Sequence, residues 1–244
     1  MRSLLVVAAD SDSGLDRALG SGADVIVVDL ADSAAGAAGS AARRRRAAAF
    51  LGGPRGAARL FVRIGRLASD LAADDLDAVV PARPDGIVLR GAAGGSQVTR
   101  LSAMLRPREA TAGIDDGAIA IIAMAGDSAA GLFALGSYAG ASARLAGLGW
   151  DANALAADLG GTAGRDAGGG LGEPTRLARA LTLAAAAAAG VPAFDTAFDG
   201  PGGLAALDRE ARTARRDGFA GKFTSDPAEV PAINRAFARA APDR

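Results

Sequence analysis

Short, continuous apolar runs recur along this chain, and the clearest of them end on a charged residue. Examples are 61–63 (Phe-Val-Arg), 27–32 (Val-Val-Asp-Leu-Ala-Asp) and 118–127, which ends at Asp127. Strands of a parallel sheet are buried on both faces and therefore read as short apolar runs rather than as alternating patterns. We predict such strands over residues 3–9, 25–30, 59–65, 86–90, 118–125, 143–150, 192–197 and 220–224.

The segments between these runs have the features of helices. Gly190 and Gly218 stand where helices often end, and Pro174 and Pro227 stand near helix starts, where a missing N–H costs nothing. We predict helices over residues 15–20, 41–51, 71–80, 98–106, 132–138, 153–159, 175–189, 204–216 and 228–238.

Repeated strand-then-helix units in a chain of 244 residues favour an α/β fold, a (β/α)8 TIM barrel formed as a single domain by residues 1–244. A doubly wound open sheet is the alternative, but it would leave two edges to protect. Residues 8–14 carry no Gly-x-Gly-x-x-Gly turn after the first strand, which weakens a dinucleotide-binding interpretation. In a barrel, the strand ends that carry the charges also carry the chemistry.

Composition excludes several kinds of site. The chain has no Cys and no His, so disulfides, thiol nucleophiles, Ser-His-Asp catalysis and histidine-ligated zinc are impossible. Balanced charge and few aromatics argue against nucleic acid as a partner. Without an apolar stretch long enough for a membrane span, and with an N-terminal run too short for a signal peptide, we expect a cytoplasmic protein that does not enter a membrane.

Two conspicuous stretches each allow a functional and a structural interpretation. The run Arg43-Arg44-Arg45-Arg46 could bind a polyanion, but its Ala-rich context favours a solvated helix face. The glycine-rich stretch 160–172 lacks the Lys-Ser/Thr of a phosphate-binding loop, and we predict a mobile loop there.

Several of these segments together resemble one known family. From Arg2 to about Phe237, the chain is similar to the HpcH/HpaI aldolase and citrate lyase β-subunit (CitE-like) family of CoA-ester lyases. Any one segment is a weak match, but their order and spacing are specific. The segments are 21–30 (SGADVIVVDL), 59–64 (RLFVRI), 84–89 (PDGIVL), 131–139 (GLFALGSYA), 155–160 (LAADLG), 189–196 (AGVPAFDT) and 217–222 (DGFAGK).

The resemblance implies a barrel that makes or breaks a C–C bond next to a thioester or a keto acid, with Mg²⁺ bridging the keto-acid oxygens. An acyl-CoA or keto-acid substrate is implied, as is assembly into a homo-oligomer or with a partner lyase subunit. Arg63 matches the substrate-binding arginine of the family, and Asp127 matches a metal ligand that would also contact substrate. A guanidinium fork suits a keto-acid carboxylate, and developing enolate charge needs preorganised positive charge.

The chain departs from the family pattern at several strand ends. Asp127 replaces a longer Glu, and Asp226-Pro227 replaces a His-Pro. Asp151, three residues before the lost second metal ligand, could substitute as a ligand, and Asp32 could orient metal-bound water or Arg63. The positions that lose the family residue are Ala31 (Glu), Gly91 (Lys), Asn153 (Glu) and Ala154 (Asp).

Three functions therefore remain open, and the first two are favoured over the third. The first is a lyase that cleaves a β-hydroxyacyl-CoA or 2-keto-acid-derived substrate by an Mg²⁺-assisted retro-aldol or Claisen reaction. The second is a catalytically impaired paralogue that binds a ligand or an active partner subunit. The third is a metal-independent enzyme that uses Lys222, the only lysine, as a Schiff-base nucleophile. Family members commonly continue beyond the last helix with a segment that covers the site, so we expect closure to differ here.

Overall fold

The computed structural model describes residues 1–31, 36–69 and 71–238, and within these ranges the chain closes into an eight-stranded parallel barrel in sequential strand order. The prediction of a TIM barrel is confirmed. The strands are Ser3–Ala8 (β1), Val25–Asp29 (β2), Arg59–Ile64 (β3), Gly86–Leu89 (β4), Ala120–Gly126 (β5), Leu145–Trp150 (β6), Ala193–Asp195 (β7) and Gly221–Thr224 (β8). The α-helices are Asp12–Leu19 (α1), Gly36–Gly52 (α2), Leu71–Val79 (α3), Gly95–Thr111 (α4), Ala129–Phe133 (α5), Ala152–Asp158 (α6), Glu173–Ala188 (α7), Gly203–Asp217 (α8) and Val230–Ala236 (α9).

Two layers of apolar side chains hold the barrel together. The larger lies between the strands and the surrounding helices, and the smaller fills the barrel interior. Phe61, Phe194 and Phe223 dominate the interior, the last two in an edge-to-face contact with ring centroids 6.3 Å apart. Gly86 makes room for this packing, because a Cβ there would lie 2.3 Å from the ring of Phe61.

The predicted helix 98–106 was too short at its C-terminus, since α4 continues through Pro107 to Thr111. A proline removes one backbone hydrogen bond and strains the preceding turn, at a cost of about 3 kcal/mol. Contacts of the last turn oppose that cost. The Glu109 carboxylate is buried, accepts the backbone N–H of Ile119 at 3.0 Å and binds the Arg144 guanidinium at 2.5 and 2.6 Å.

Other predicted boundaries shift by a few residues. The predicted helix 132–138 is instead a short helix, α5, followed by a 3₁₀ turn over 135–137. The last helix begins as a 3₁₀ turn over 227–229, and the seventh strand is limited to Ala193–Asp195. None of these changes moves a residue to the other end of the barrel.

The prediction of a solvated arginine face on α2 is wrong for three of the four residues, and only Arg45 is exposed. The others fasten α2 to neighbouring elements and so support its packing. The bonds are Arg43 Nη2 to the Asp29 carbonyl at 3.0 Å, Arg44 Nε to Asp75 Oδ1 at 2.6 Å and Arg46 Nη1 to the Ala9 carbonyl at 2.8 Å.

The glycine-rich stretch, for which we predict a mobile loop, contains a turn with hydrogen bonds of its own. Asp166 Oδ1 accepts the backbone N–H groups of Gly168 and Gly170, each at 2.9 Å, so the turn closes on its own carboxylate. Arg165 anchors the turn to Glu210 of α8 through two bonds of 2.6 and 2.9 Å. The amide groups that would cradle a phosphate are thus already occupied.

We expect Glu109→Gln to lower the free energy of unfolding by about 3 kcal/mol, because it leaves the buried Arg144 without its main counter-charge. Burial raises the pKa of Glu109, but the hydrogen bonds and charge of Arg144, together with the backbone N–H groups of Ile119 and Gly117, outweigh it and hold that pKa below its usual range. This stabilisation is therefore present above the ordinary glutamate pKa of about 4.3 and is lost as the pH falls through the lower folded-state value.

Urea denaturation followed by circular dichroism measures this effect, and the difference between wild type and variant should shrink in acid. Asp208→Asn is the control, because the Asp208–Arg212 pair is exposed to solvent and should contribute little to stability. Equal losses of stability in the two variants would contradict the assigned role of the buried pair.

Candidate active site at the carboxyl ends of the strands

Two cavities lie at the carboxyl ends of the barrel strands. The smaller, which we call the central cavity, has a volume of about 180 Å³ and the larger, the side cavity, about 450 Å³. The central cavity is lined by Val6, Arg63, Met124, Trp150, Asp151, Thr196, Ala197, Phe223, Thr224 and Ser225. The side cavity is lined by Ala31, Gly65, Arg66, Arg90, Gly91, Asp127, Ala154, Ala157 and Asp158.

Arg63 lies in the central cavity and is bound by Asp29 of the neighbouring strand. The two residues are paired across β2 and β3. Each lies two positions after an inward-facing residue of its own strand, Val27 or Phe61, so both side chains also face the barrel interior. Arg63 Nε donates to Asp29 Oδ1 at 2.9 Å, and Nη2 donates to Oδ2 at 2.5 Å. This pairing fixes the plane of the guanidinium.

The Asp29–Arg63 pair is ionised. Burial raises the pKa of Asp29, but the hydrogen bonds and charge of Arg63, with the backbone N–H of Ala31 at 2.9 Å, hold it below its usual range. Asp29 is not among the site residues predicted from the sequence. A signal was available, since Asp29 and Arg63 lie near the ends of consecutive predicted strands, but only the register brings them opposite each other.

Asp127 follows β5 and is buried in the wall of the side cavity. Its Oδ2 accepts the backbone N–H of Gly91 at 2.8 Å, whereas its buried Oδ1 has no hydrogen-bond partner among the described residues. Burial raises the pKa of this carboxyl, and the nearby negative charge of Asp151 acts in the same direction. A buried carboxylate oxygen without a partner is unfavourable, and a cation would satisfy it.

Arg66 supplies a positive charge that the sequence analysis missed. Its side chain crosses Gly91 so closely that a Cβ on Gly91 would lie 2.4 to 2.9 Å from its Cγ, Nε and Cδ atoms. Gly91 also has a φ of +60°, a conformation that favours glycine. Arg66 therefore fills space beside the position where the family resemblance places a lysine, and a substitution at Gly91 would displace it.

The residues around the start of α6 divide between the two cavities. Asp151 lines the central cavity, and its Oδ1 caps α6 by accepting the N–H groups of Asn153 and Ala154, each at 3.0 Å. Ala154 lines the side cavity. The Asn153 side chain binds Asp199 and the Gly164 N–H, which directs it towards the glycine-rich stretch. Asp32, the fourth predicted site residue, lies outside the described residues.

The carboxylates fit a divalent cation only in part. Within the described ranges, no group of three Asp, Glu, His or Cys residues is placed to hold a metal. Mg²⁺, however, is commonly bound through one or two carboxylates, with water and substrate oxygens completing the octahedron. The partnerless Oδ1 of Asp127, with Asp151 near enough to influence its pKa, fits that mode of binding.

The structure contradicts the Schiff-base hypothesis for Lys222. Its neighbour Phe223 faces the barrel interior, so Lys222 faces the outer wall, where it is fully buried and lines neither cavity. Its Nζ donates to the Thr196 carbonyl at 2.6 Å and to Glu210 Oε1 at 2.7 Å, with Asp195 Oδ2 at 3.4 Å. An amine held in this way has no room for a substrate carbonyl.

No helix within the described ranges combines the length and the apolar character needed to span a membrane.

Comparison with known proteins agrees with this architecture. The chain is 28% identical over 237 residues to the citrate lyase subunit beta of Leuconostoc mesenteroides subsp. cremoris, covering 97% of this chain and 76% of the relative. It is also 28% identical to the CitE protein of Mycobacterium tuberculosis in complex with magnesium and acetoacetate, with a TM-score of 0.82, covering all of this chain and 92% of that one. A CitE structure from the same organism with magnesium, acetoacetate and coenzyme A gives 27% identity and a TM-score of 0.80, covering 98% and 81% of the two chains.

A family model decides the relationship, since it matches residues 2–227 and so includes every strand of the barrel. That model describes aldolases and lyases. The chain belongs to the HpcH/HpaI aldolase/citrate lyase family.

Proposed function

We propose that this chain is a carbon–carbon lyase that cleaves a β-hydroxyacyl-CoA or a 2-keto-acid-derived substrate by a retro-aldol or Claisen reaction assisted by Mg²⁺. The observation that carries the proposal is the buried, partnerless Oδ1 of Asp127 in the wall of a cavity that also contains Arg66 and Arg90. The solved CitE relatives in complex with magnesium, acetoacetate and coenzyme A support the choice of substrate class.

The chain's own residues divide the work of binding. Arg63, oriented by Asp29, binds the substrate carboxylate in the central cavity through its planar fork. Asp127 holds the cation through Oδ1, with Asp151 as a further carboxylate and Asp32 as an orienting residue. A bound divalent cation would stabilise negative charge on the substrate carbonyl oxygens.

Arg66 and Arg90 line the side cavity and raise its positive potential. Positive charge fixed in place before the reaction stabilises an enolate without the cost of reorganising solvent. The Gly91 N–H keeps Asp127 in position, and Gly91 itself leaves space for Arg66. The charges of Arg66 and Arg90 replace the positive charge of the lysine that the family resemblance places at residue 91.

A second candidate function rests on a different observation. Ala31 and Ala154 line the side cavity at positions where the family resemblance places acids, so the cavity offers fewer carboxylates than its shape could hold. A paralogue that binds a keto acid or an active partner subunit, without turnover, would have such a site. Metal binding in the presence of a keto acid separates the two functions.

We expect Asp127→Asn to abolish Mg²⁺ binding measured by isothermal titration calorimetry in the presence of pyruvate or oxaloacetate. The amide keeps the size of the carboxyl but removes the charge that attracts the cation. Asp77→Asn, an exposed carboxylate on α3, is the control and should bind Mg²⁺ as the wild type does. Mg²⁺ binding that survives in Asp127→Asn would remove Asp127 from the metal site.

We expect Ala154→Asp to strengthen Mg²⁺ binding by roughly tenfold, since it adds a carboxylate to the cavity that already contains Asp127. Asn153→Asp is the matched control, because it adds the same charge one residue away on a side chain that contacts Asp199 and Gly164. Equal Mg²⁺ affinities in the two variants would show that charge alone, and not a ligand position, is responsible.

We expect Arg63→Lys to weaken pyruvate binding by at least about tenfold, because an ammonium keeps the charge and loses the bidentate fork. Arg59→Lys, at the opposite end of β3, should leave pyruvate binding unchanged. Titration calorimetry at saturating Mg²⁺ measures both. If Arg66→Gln weakens binding while Arg63→Lys does not, the carboxylate lies in the side cavity instead.

A further inference from the structure

A cleft of about 540 Å³ lies on the outer wall of the barrel, between α7 and α8. The glycine-rich turn and the loop after β7 complete its lining. Neither Asp127 nor Arg63 contributes to it, so it is separate from the candidate active site. Its volume lies within the range of small-molecule sites in proteins, about 300–1,000 Å³.

The charged residues of the cleft are mostly cationic. Arg176 and Arg179 project from α7 and Arg209 from α8, against a single carboxylate, Glu210. That carboxylate is already bound by Arg165 at 2.6 and 2.9 Å and by Lys222 at 2.7 Å. Three arginines and one carboxylate give the lining two more positive than negative charges. Glu210 and Arg179 are both paired with residues outside the lining, so Arg176 and Arg209 are the cations that remain for a ligand.

Arg179 provides a buried donor that lacks an acceptor. Its Nε lies 3.2 Å from Asp195 Oδ1, and its Nη1 lies 2.8 Å from Asp217 Oδ2. Its Nη2 is buried and has no hydrogen-bond partner among the described residues. A buried guanidinium N–H without an acceptor is unfavourable, and Arg179 is itself one of the residues that line the cleft.

The other two arginines are available to a ligand. Arg209 is exposed and forms no ion pair or hydrogen bond with the described residues. Among the residues that the structure describes, Arg176 pairs only with Glu173 on its own helix, and both side chains are mostly exposed, so the pair is weak.

We propose that this cleft binds the phosphate group of a phosphate monoester. A monoester dianion matches the two excess positive charges of the lining, and arginine forks match phosphate oxygens bidentately. The cleft is larger than a phosphate group, and Phe198, Leu171 and Pro201 give it an apolar wall for the organic part of the ester. The N–H groups of Gly168 and Gly170 already bind Asp166, so the arginines and Thr213 hold the phosphate.

The test measures the binding of glycerol 3-phosphate, AMP, inorganic phosphate and malonate to the full chain by titration calorimetry. We expect glycerol 3-phosphate or AMP to bind, and Arg209→Ala to weaken that binding by at least about tenfold. Arg212→Ala is the matched control, because Arg212 is on the same helix, pairs with Asp208 and does not line the cleft. Neither variant changes a residue of the candidate active site, and far-UV circular dichroism with urea denaturation reports that the fold is intact.

Each outcome decides the proposal. Tighter binding of AMP than of glycerol 3-phosphate, lost in Arg209→Ala, identifies a nucleotide phosphate, and equal binding of the two identifies the ester phosphate alone. Inorganic phosphate that binds as tightly as either ester overturns the monoester assignment. Malonate that binds equally well overturns the choice of phosphate. Absence of saturable binding, or equal losses in Arg209→Ala and Arg212→Ala, overturns the site.

Discussion

A closed barrel of parallel strands must fill its interior with side chains from its own strands, and this requirement shapes the rest of the molecule. Apolar side chains, of which three phenylalanines are the largest, fill the barrel interior up to the level of Phe61 and Phe223. Charged groups can enter the interior only where it opens to solvent, at the strand ends. The Asp29–Arg63 pair is the first charged layer above this packing, and its position follows from the strand parity of Val27 and Phe61.

The same geometry explains why the site combines a rigid part with an unsatisfied part. Arg63 is held in one orientation by two hydrogen bonds to an ionised partner, so little entropy remains to be lost when it binds a carboxylate. Asp127 is equally well placed through the Gly91 N–H, yet one of its oxygens has no partner. The fixed arginine lines the central cavity and the unsatisfied carboxylate lines the side cavity, so the two cavities differ in the charge that they offer to a ligand.

The charged residues between the strands and the outer helices are paired with one another rather than left for a ligand. Lys222 and Asp195 are buried between strands and helices and form one ion-pair network with the partly buried Glu210, which explains why a lysine that looks like a nucleophile in the sequence is structural. Arg165 extends this network to the glycine-rich turn, which is therefore anchored and helps to line the cleft between α7 and α8. Arg176 and Arg209 take no part in this network, and they give the cleft its positive charge.

The sequence by itself determined the barrel, because each buried strand is recorded as an apolar run of its own, and it placed Arg63, Asp127 and Asp151 at strand ends. It also identified the lost family residues at Ala31 and Ala154. It could not show that Asp29 holds Arg63, that Arg66 crosses Gly91, or that Arg43 and Lys222 are buried. Those facts depend on register and on which face of an element meets its neighbour, and residues far apart in the chain decide both. The local pattern of apolar residues determines whether a segment forms a strand or a helix, whereas the contacts between distant side chains are determined only when the barrel closes.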